Sequence, residues 1–246
     1  MIIGAISLIA GCVLVYYYIR SKRVIDEMWA VKTYAARDLR LMCSGGFKAI
    51  VKVEGIIECD DPLISPAGKT PCCRYHLKIE WEEPNNENEG RRLITYEETK
   101  STIFKVNDET GFTLVYPEGA EIDTVEDYFD TVNRYAALEI SREIGLSESG
   151  EYQITEEILH AGGYVYVLGL ARSTQQGTSS DAVISAPYHG YTDRKAHFII
   201  SRKGEREMTR QYGISVSVCY YLAAISFAVT IFSVLSLLGI IRIEAG

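Results

Sequence analysis

The chain has 246 residues and a formal charge of −8 at pH 7, with 33 acidic residues against 25 basic ones. This acidic balance excludes the basic face that nucleic-acid-binding proteins need, so we expect no nucleic-acid partner. The six cysteines follow neither the framework of a small disulfide-rich secreted domain nor a repeated C-x-x-C zinc pattern. The length allows one domain with membrane anchors, or two small domains.

Two long uncharged segments predict transmembrane helices. Residues 1–19 carry no charged side chain, and at ~1.5 Å per residue they are just long enough to cross a hydrocarbon core of ~30 Å. A second uncharged segment covers residues 214–241. Basic residues border the intervening chain at both ends, namely Arg20, Lys22, Arg23, Arg202, Lys203, Arg206 and Arg210. The positive-inside rule therefore places the domain between the two spans in the cytoplasm and both termini outside.

The first segment also allows a different interpretation. Ile9-Ala10-Gly11-Cys12 fits a short lipoprotein cleavage pattern, which would put a lipid on Cys12 and the domain outside the cytoplasm. However, no lysine or arginine precedes the apolar run, and the run continues to Ile19. A secretory signal needs a basic region first, so a plain spanning helix is favoured.

Between the spans, the sequence predicts an α+β domain that is rich in β-strands and has one or two helices. A juxtamembrane helix is predicted over residues 20–46 because its apolar residues recur every three or four positions, and Gly45-Gly46 ends it. The β-rich domain then covers residues 47–213, and a tail of residues 242–246 follows the second span. A further helix is predicted between Thr124 and Gly145, again from apolar spacings of three and four. Alternation and turn residues predict strands at 47–59, 72–82, 92–106, 110–116, 151–155, 164–171, 182–185 and 196–201.

The most specific stretch is the segment between the first two strands, residues 60–71, which we call the Pro/Gly loop. It contains the triplet Gly68-Lys69-Thr70, which is also found in phosphate-binding P-loops. That pattern needs a glycine where Leu63 stands, and it needs a helix to follow, whereas a strand follows here. We therefore predict a tight turn between strands and no nucleotide cofactor.

Four side chains near this loop could be metal ligands: Cys59, Cys72, Cys73 and His76. On a strand, residues 72 and 76 share one face while residue 73 points to the other, so we predict no metal site and no cofactor. The favoured interpretation is that Cys72 is a small buried residue that closes the loop. Two alternatives stay open, a disulfide such as Cys59–Cys72, and a thiol nucleophile in which Cys72 pairs with His189 or His197.

The order of these residues resembles a known family. Val53-Glu54-Gly55 on a strand, then Pro62-Leu63-Ile64-Ser65-Pro66, then Cys72 opening an aromatic strand is similar to the GIDE domain. This domain, also called the beside-a-membrane domain, occurs in the Mulan family of membrane-anchored RING-type E3 ubiquitin ligases. The segments 152–169 and 198–201 are also similar to the family, as is the order of span, domain and span.

The resemblance implies a zinc-binding RING after the second span, and this is where the sequence departs from the ligases. Residues 242–246 follow that span and contain no cysteine or histidine. We therefore expect a RING-less form, similar to prokaryotic relatives, in which a GIDE-like domain held beside the membrane serves recognition or scaffolding without catalysis. The alternatives are E3 ubiquitin or ubiquitin-like transfer, as in the family, and a thiol hydrolase using Cys72.

The expected partners are the lipid bilayer and another membrane or membrane-proximal protein. The residues expected to bind that protein are Pro62, Leu63, Ser65, Pro66, Lys69, Glu156 and Gly163. A structural assembly role is a further possibility, because small residues in the second span allow close helix approach, namely Ser215, Ser217, Ala223, Ala224 and Ser226.

Overall fold

The computed structural model describes residues 2–82, 92–140, 151–174, 181–187 and 196–237. It divides into two compact units, of which one contains the long helices α1 (Ile2–Ala30) and α4 (Glu205–Leu237) and the other is Lys32–Gly204. Elements are numbered in chain order. Parts of the sequence-based predictions lie outside the described residues, namely His189, the segments 141–145 and 238–241, and the tail 242–246.

The two long helices agree with the predicted membrane spans. Gly4–Ala30 has a mean hydropathy of 1.4 and Glu205–Ser236 one of 2.1, so both are long and apolar enough to cross a membrane. Each helix is longer than the uncharged segment that predicted it. In particular, α4 begins at Glu205, nine residues before the uncharged segment that predicted the second span.

The helices α1 and α4 pack against each other in antiparallel orientation. The Ser7 hydroxyl donates to the Ser226 carbonyl at 2.7 Å, and the Ser226 hydroxyl donates to the Ser7 carbonyl at 2.6 Å. A Cβ added at Gly4 would lie 2.9 Å from the Ser233 Oγ, so the glycine permits this close approach. The sequence analysis considered Ser226 for contacts between copies of the chain. In the structure, Ser226 contacts Ser7 of the same chain.

The second unit contains two short helices, α2 (Ala36–Ser44) and α3 (Arg134–Ile140). Its strands are β1 (Ala49–Glu58), β2 (Leu63–Ile64), β3 (Pro71–Glu82), β4 (Arg92–Ser101), β5 (Phe104–Asn107), β6 (Phe112–Val115), β7 (Glu121–Ile122), β8 (Val125–Val132), β9 (Glu151–His160), β10 (Tyr164–Ser173), β11 (Ala182–Ser185) and β12 (Ile199–Ser201). The predicted fold class, a β-rich α+β domain between two spans, is confirmed.

Five of the strands close into a small barrel. Their order is β1, β5, β6, β11 and β10, and β10 pairs again with β1. All neighbours are antiparallel except β6 and β11. Inward-facing side chains of these strands fill the interior with buried apolar groups, as expected for a barrel of this size, and they include Val51, Val53, Phe104, Val167 and Ile184.

A second sheet contains the remaining long strands. β3 pairs with β4 on one side and with β9 on the other, and β8 continues the sheet beyond β9. The short β2 pairs with the beginning of β3. This sheet has its own core, with Leu77, Ile79, Tyr152, Ile154 and Ile158 fully buried. The β3 strand therefore leads from the Pro/Gly loop into a core that is separate from the barrel.

Helix α2 contributes Leu39 and Cys43 to the barrel core. Its first backbone N–H groups are bound by the β5–β6 turn, because Ala36 N–H donates to the Asp108 carboxylate at 2.7 Å. Burial tends to raise the pKa of Asp108, but hydrogen bonds from Thr110 and from Ala36 N–H outweigh it, so the pKa is lowered. The hairpin turn therefore acts as an N-terminal cap that is supplied from a distant part of the chain.

The structure corrects the prediction of one juxtamembrane helix over residues 20–46. Residues up to Ala30 belong to α1, residues 36–44 form α2, and the segment between them is extended. There the backbone pairs with β1, since Tyr34 N–H donates to the Lys52 carbonyl at 2.9 Å and Lys52 N–H donates to the Lys32 carbonyl at 3.2 Å. The predicted end of the helix at Gly45 is confirmed.

Two other predicted elements are also corrected. The helix expected from Thr124 is wrong for Val125–Val132, which form strand β8, and α3 begins only at Arg134. The strand expected over residues 92–106 is divided, because β4 pairs with β3 in the second sheet while β5 joins the barrel. In both places, pairing with strands far away in the sequence decides the local structure.

Candidate functional site

The Pro/Gly loop forms a small closed hairpin between β1 and β3. Leu63 pairs with Cys72 and Ile64 with Pro71. The tip, residues 65–70, is closed by Ser65 N–H donating to the Thr70 carbonyl at 3.0 Å, while the buried Ser65 hydroxyl accepts Thr70 N–H at 3.1 Å. The tight turn predicted from the sequence is therefore present.

Glu156 holds the tip of this loop from the neighbouring strand β9. Its side chain is 0% exposed, and its two carboxylate oxygens accept the N–H groups of Ala67 at 2.9 Å and Gly68 at 2.7 Å. Hydrogen bonds to an ionised acceptor are about twice as strong as neutral ones, and two on one carboxylate fix its geometry. A buried carboxylate in an otherwise apolar strand face is thus satisfied by the backbone of the loop.

Asp127 lies beside this clamp and was missed by the sequence analysis. It sits at a register irregularity of β8, between Glu126 and Tyr128. A Cβ added at Gly68 would overlap Asp127 Oδ2, so the loop backbone passes directly over this carboxylate. Among the described residues, this oxygen is buried without a hydrogen-bond partner. The sequence analysis missed Asp127 because it assigned a helix to the segment that forms strand β8.

Lys69 directs its side chain back to the loop. Its ammonium group donates to the Pro66 carbonyl at 2.6 Å, and its backbone adopts a φ of 56°, in the left-handed region that glycine prefers. Leu63 packs on the core of the second sheet, whereas Pro62 is exposed and Ile64 is 56% exposed. Among the apolar side chains of the loop that precede Lys69, Pro62 and Ile64 are the exposed ones, and of these two the sequence analysis selected only Pro62.

Gly163 belongs to a different part of the domain. It follows Gly162 in the β9–β10 turn, where its carbonyl accepts Ile57 N–H at 2.9 Å. Gly162 has a φ of 83° and donates its own N–H to the Ile57 carbonyl at 2.9 Å. Gly163 thus ties the turn to strand β1, and no hydrogen bond between described residues connects it to the tip of the Pro/Gly loop.

The four candidate metal ligands do not form one cluster. A register irregularity of β3 between Cys72 and Arg74 sends Cys72 into the core of the second sheet and Cys73 into the barrel core, beside Cys59. His76 lies on β3 with Nδ1 at 2.8 Å from the Thr99 hydroxyl. Within the described parts of the chain, no group of three or more histidine, cysteine and acidic residues could hold a metal ion.

Cys72 has the environment of a structural thiol. Burial, followed by the negative charges of Glu156 and Asp127, raises its pKa to about 11, so the thiol stays protonated at neutral pH. The register places His160 opposite Cys72, while His197 lies 3.9 Å from a carboxylate oxygen of Glu121. This environment disfavours the thiolate that a nucleophile requires.

A cleft at the rim of the barrel was also missed by the sequence analysis. It has a volume of about 440 Å³ and is lined by Gly46, Phe47, Lys48, Tyr116, Arg172, Ser173, Thr174 and Val183. Ala49 pairs with Ala171 on the antiparallel strands β1 and β10. Lys48 and Arg172 therefore occupy the next pair of opposite positions, at the edge of the cleft.

A model of one known protein family matches the chain. A sequence model of the GIDE family, described as E3 Ubiquitin ligase, matches residues 75–236, which is well over half of the chain. The chain belongs to the GIDE family. Comparisons with curated proteins and with solved structures found no match.

The GIDE family match covers only part of the candidate site. Asp127, Glu156 and Gly163 lie inside the matched residues, whereas the Pro/Gly loop precedes them. The family resemblance seen in the sequence is therefore confirmed. However, the matched residues do not include the Pro/Gly loop, which is the most specific motif of that resemblance. The matched stretch also contains most of α4, one of the two helices that could span a membrane.

Proposed function

We propose that this GIDE-family protein is a two-span membrane protein whose β-rich domain recognises another membrane or membrane-proximal protein without catalysing a reaction. The observation that carries the proposal is the pair of hydrogen bonds from Ala67 and Gly68 to the buried Glu156 carboxylate. Through these bonds, Glu156, the most deeply buried acidic residue near the loop, holds the backbone of the loop in one conformation. An acid with both oxygens engaged in this way is a poor general acid or base.

The clamp supports recognition because it orders the loop before any partner arrives. A loop that is already rigid does not have to be ordered on binding, and this ordering is one of the main costs of association. Ile64, at 56% exposure, then offers an apolar contact beside Pro62 on a fixed backbone. An exposed apolar side chain on a preorganised loop is a suitable anchor for a protein segment.

Tethering supports the same conclusion. The domain chain continues directly into α1 at one end and into α4 at the other. A domain joined at both ends to membrane-spanning helices meets partners of the same membrane at a raised effective concentration, so modest affinity suffices. The basic residues that flank both spans support a cytoplasmic location of the domain, with both termini outside.

Transfer of ubiquitin or a ubiquitin-like protein is the second candidate, favoured by the description of the matched family as E3 Ubiquitin ligase. The purified full chain, mixed with activating and conjugating enzymes, ubiquitin and ATP, distinguishes the two. We expect no conjugates above the level of the same mixture without the chain. Conjugates that depend on the chain would replace the recognition proposal. The hydrolase alternative is disfavoured by the raised pKa of Cys72.

The direct test is photo-crosslinking in native membranes. A photoreactive amino acid replaces Ile64, and in a matched control it replaces Leu41, which is 64% exposed on α2. We expect position 64 to capture a defined protein, position 41 not to capture it, and excess chain without the probe to compete. In a Glu156→Ala background, capture at position 64 should fall about tenfold, since a disordered loop binds more weakly. Equal capture at both positions, or no effect of Glu156→Ala, would contradict the proposal.

A further inference from the structure

Cys59 and Cys73 lie together at the base of the Pro/Gly loop. Cys59 packs on the barrel core that contains Cys73. Independent contacts place both against one short segment, because the Cys59 thiol lies 3.9 Å from the Ile103 carbonyl while the Cys73 carbonyl accepts Thr102 N–H at 2.8 Å. Both cysteines are free thiols in this structure.

The neighbouring Cys72 is excluded from this pair by the shape of β3. Because of the irregularity between Cys72 and Arg74, Cys72 and not Cys73 lies on the same core face as Leu77 and Ile79. Cys72 belongs to the core of the second sheet, and Cys73 belongs to the barrel core. A bridge from Cys59 to Cys72, the pairing considered from the sequence, would have to join side chains that pack in two different cores.

We propose that Cys59 and Cys73 form a reversible disulfide when a peroxide reaches Cys59, and that this bond closes the Pro/Gly loop at its base. Cys59 is the partly exposed member of the pair, whereas Cys73 is 0% exposed. The disulfide needs no partner protein. Its influence on binding rests on the proposed recognition function.

The chemistry proceeds in two balanced steps. The Cys59 sulfur attacks one oxygen of hydrogen peroxide, the O–O bond breaks, and Cys59 sulfenic acid and water are formed. The Cys73 sulfur then attacks the sulfenic sulfur, the S–O bond breaks, and the hydroxide leaves with the Cys73 proton as water. Two thiols are oxidised and one peroxide is reduced to two waters. A thiol reductant such as dithiothreitol reverses the reaction.

The order of the two steps follows from the environments of the thiols. Burial, followed by the proximity of Cys59, raises the pKa of Cys73, so Cys73 stays protonated and shielded from peroxide. Cys73 therefore acts as the resolving thiol and Cys59 as the one oxidised first. Since residues 60–72 lie between the two, the bond would enclose the loop tip that Glu156 holds.

Trypsin and mass spectrometry test the bond on the full chain in detergent. After treatment with hydrogen peroxide and blocking of remaining thiols, cleavage at Lys52, Lys69 and Arg74 releases two peptides, Val53–Lys69 and Thr70–Arg74. We expect them to be joined, with a mass two hydrogen atoms below the sum of the two peptides plus one blocking group on Cys72, and to be separated by dithiothreitol. Because Cys72 and Cys73 share the second peptide, variants must assign the bridge.

The expected pattern is that Cys59→Ser and Cys73→Ala abolish the linked peptide, while Cys72→Ser, the matched control, retains it. Cys59→Ser changes a partly exposed side chain and keeps the test valid if Cys73→Ala fails to fold. A linked peptide that survives Cys73→Ala but not Cys72→Ser, or peroxide treatment that leaves both thiols open to alkylation, would overturn the proposal. Photo-capture at position 64 is a separate readout, so linkage without capture refutes recognition and leaves the disulfide standing.

Discussion

Glu156→Ala is the substitution that most directly tests the clamp. It removes two hydrogen bonds to a charged acceptor, those from Ala67 at 2.9 Å and Gly68 at 2.7 Å. Hydrogen bonds to a charged group contribute ~1.5–3 kcal/mol each. Ala67 and Gly68 are partly exposed, so their released N–H groups can reach water, and the lower end of the range applies. We therefore expect the loop tip to lose about 3 kcal/mol of local stability.

Hydrogen–deuterium exchange of the full chain in detergent measures this loss. A difference of about 3 kcal/mol corresponds to roughly a hundredfold faster exchange of the amides in residues 65–70. Glu156→Gln retains one acceptor oxygen and should give an intermediate rate. Glu97→Ala, at a side chain that is 53% exposed, is the control and should change nothing. If Glu156→Ala leaves the exchange of the loop unchanged, the clamp does not order it and the preorganisation argument fails.

Three further predictions concern the same domain. Gly68→Ala should lower the melting temperature, because its Cβ overlaps Asp127 Oδ2, and Asp127→Ala in the same chain should restore most of the loss. Lys69→Gly should be neutral or stabilise the protein by up to ~1 kcal/mol in urea titrations, since glycine adopts the φ of 56° without strain; a clear loss would refute this. Asp108 has a lowered pKa when folded, so it adds stability above its unfolded pKa and this is lost as the pH falls below ~4. Asp108→Asn should remove that part of the pH dependence of unfolding, and an unchanged acid limb would refute the assignment.

The sequence predicted well those features that local chemistry decides. The apolar, uncharged stretches predicted both long helices, and Gly45 predicted the end of α2. The alternation of apolar and polar residues located most long strands, including β3 and β10. It also carried a clue to the clamp, because Glu156 occupies an inward position of β9 between the buried Ile154 and Ile158.

The sequence failed where distant strands decide the outcome. Val125, Phe129 and Val132 have helical spacing, yet they lie in β8, whose bulge at Asp127 interrupts the strand alternation that would have identified it. The same bulge brings Asp127 under the loop. A helical assignment of this segment therefore concealed both the strand and the second carboxylate of the site.

The positions of Cys72 and Cys73 show how a single irregularity decides which of two adjacent thiols enters which core. A regular β3 would have placed the two thiols on opposite faces of one sheet, with Cys72 sharing a face with Arg74. Instead, Cys72 seals the hairpin near Glu156, in the core of the second sheet, while Cys73 joins Cys59 in the barrel. The loop is thus held at its tip by hydrogen bonds to a carboxylate, and the proposed disulfide would close it at its base. Because these two attachments share no residue, loss of the clamp by Glu156→Ala should leave disulfide formation intact, and oxidation should then partly restore protection of the loop from exchange. Oxidation that fails to slow exchange in Glu156→Ala would mean that the base of the loop does not govern its tip.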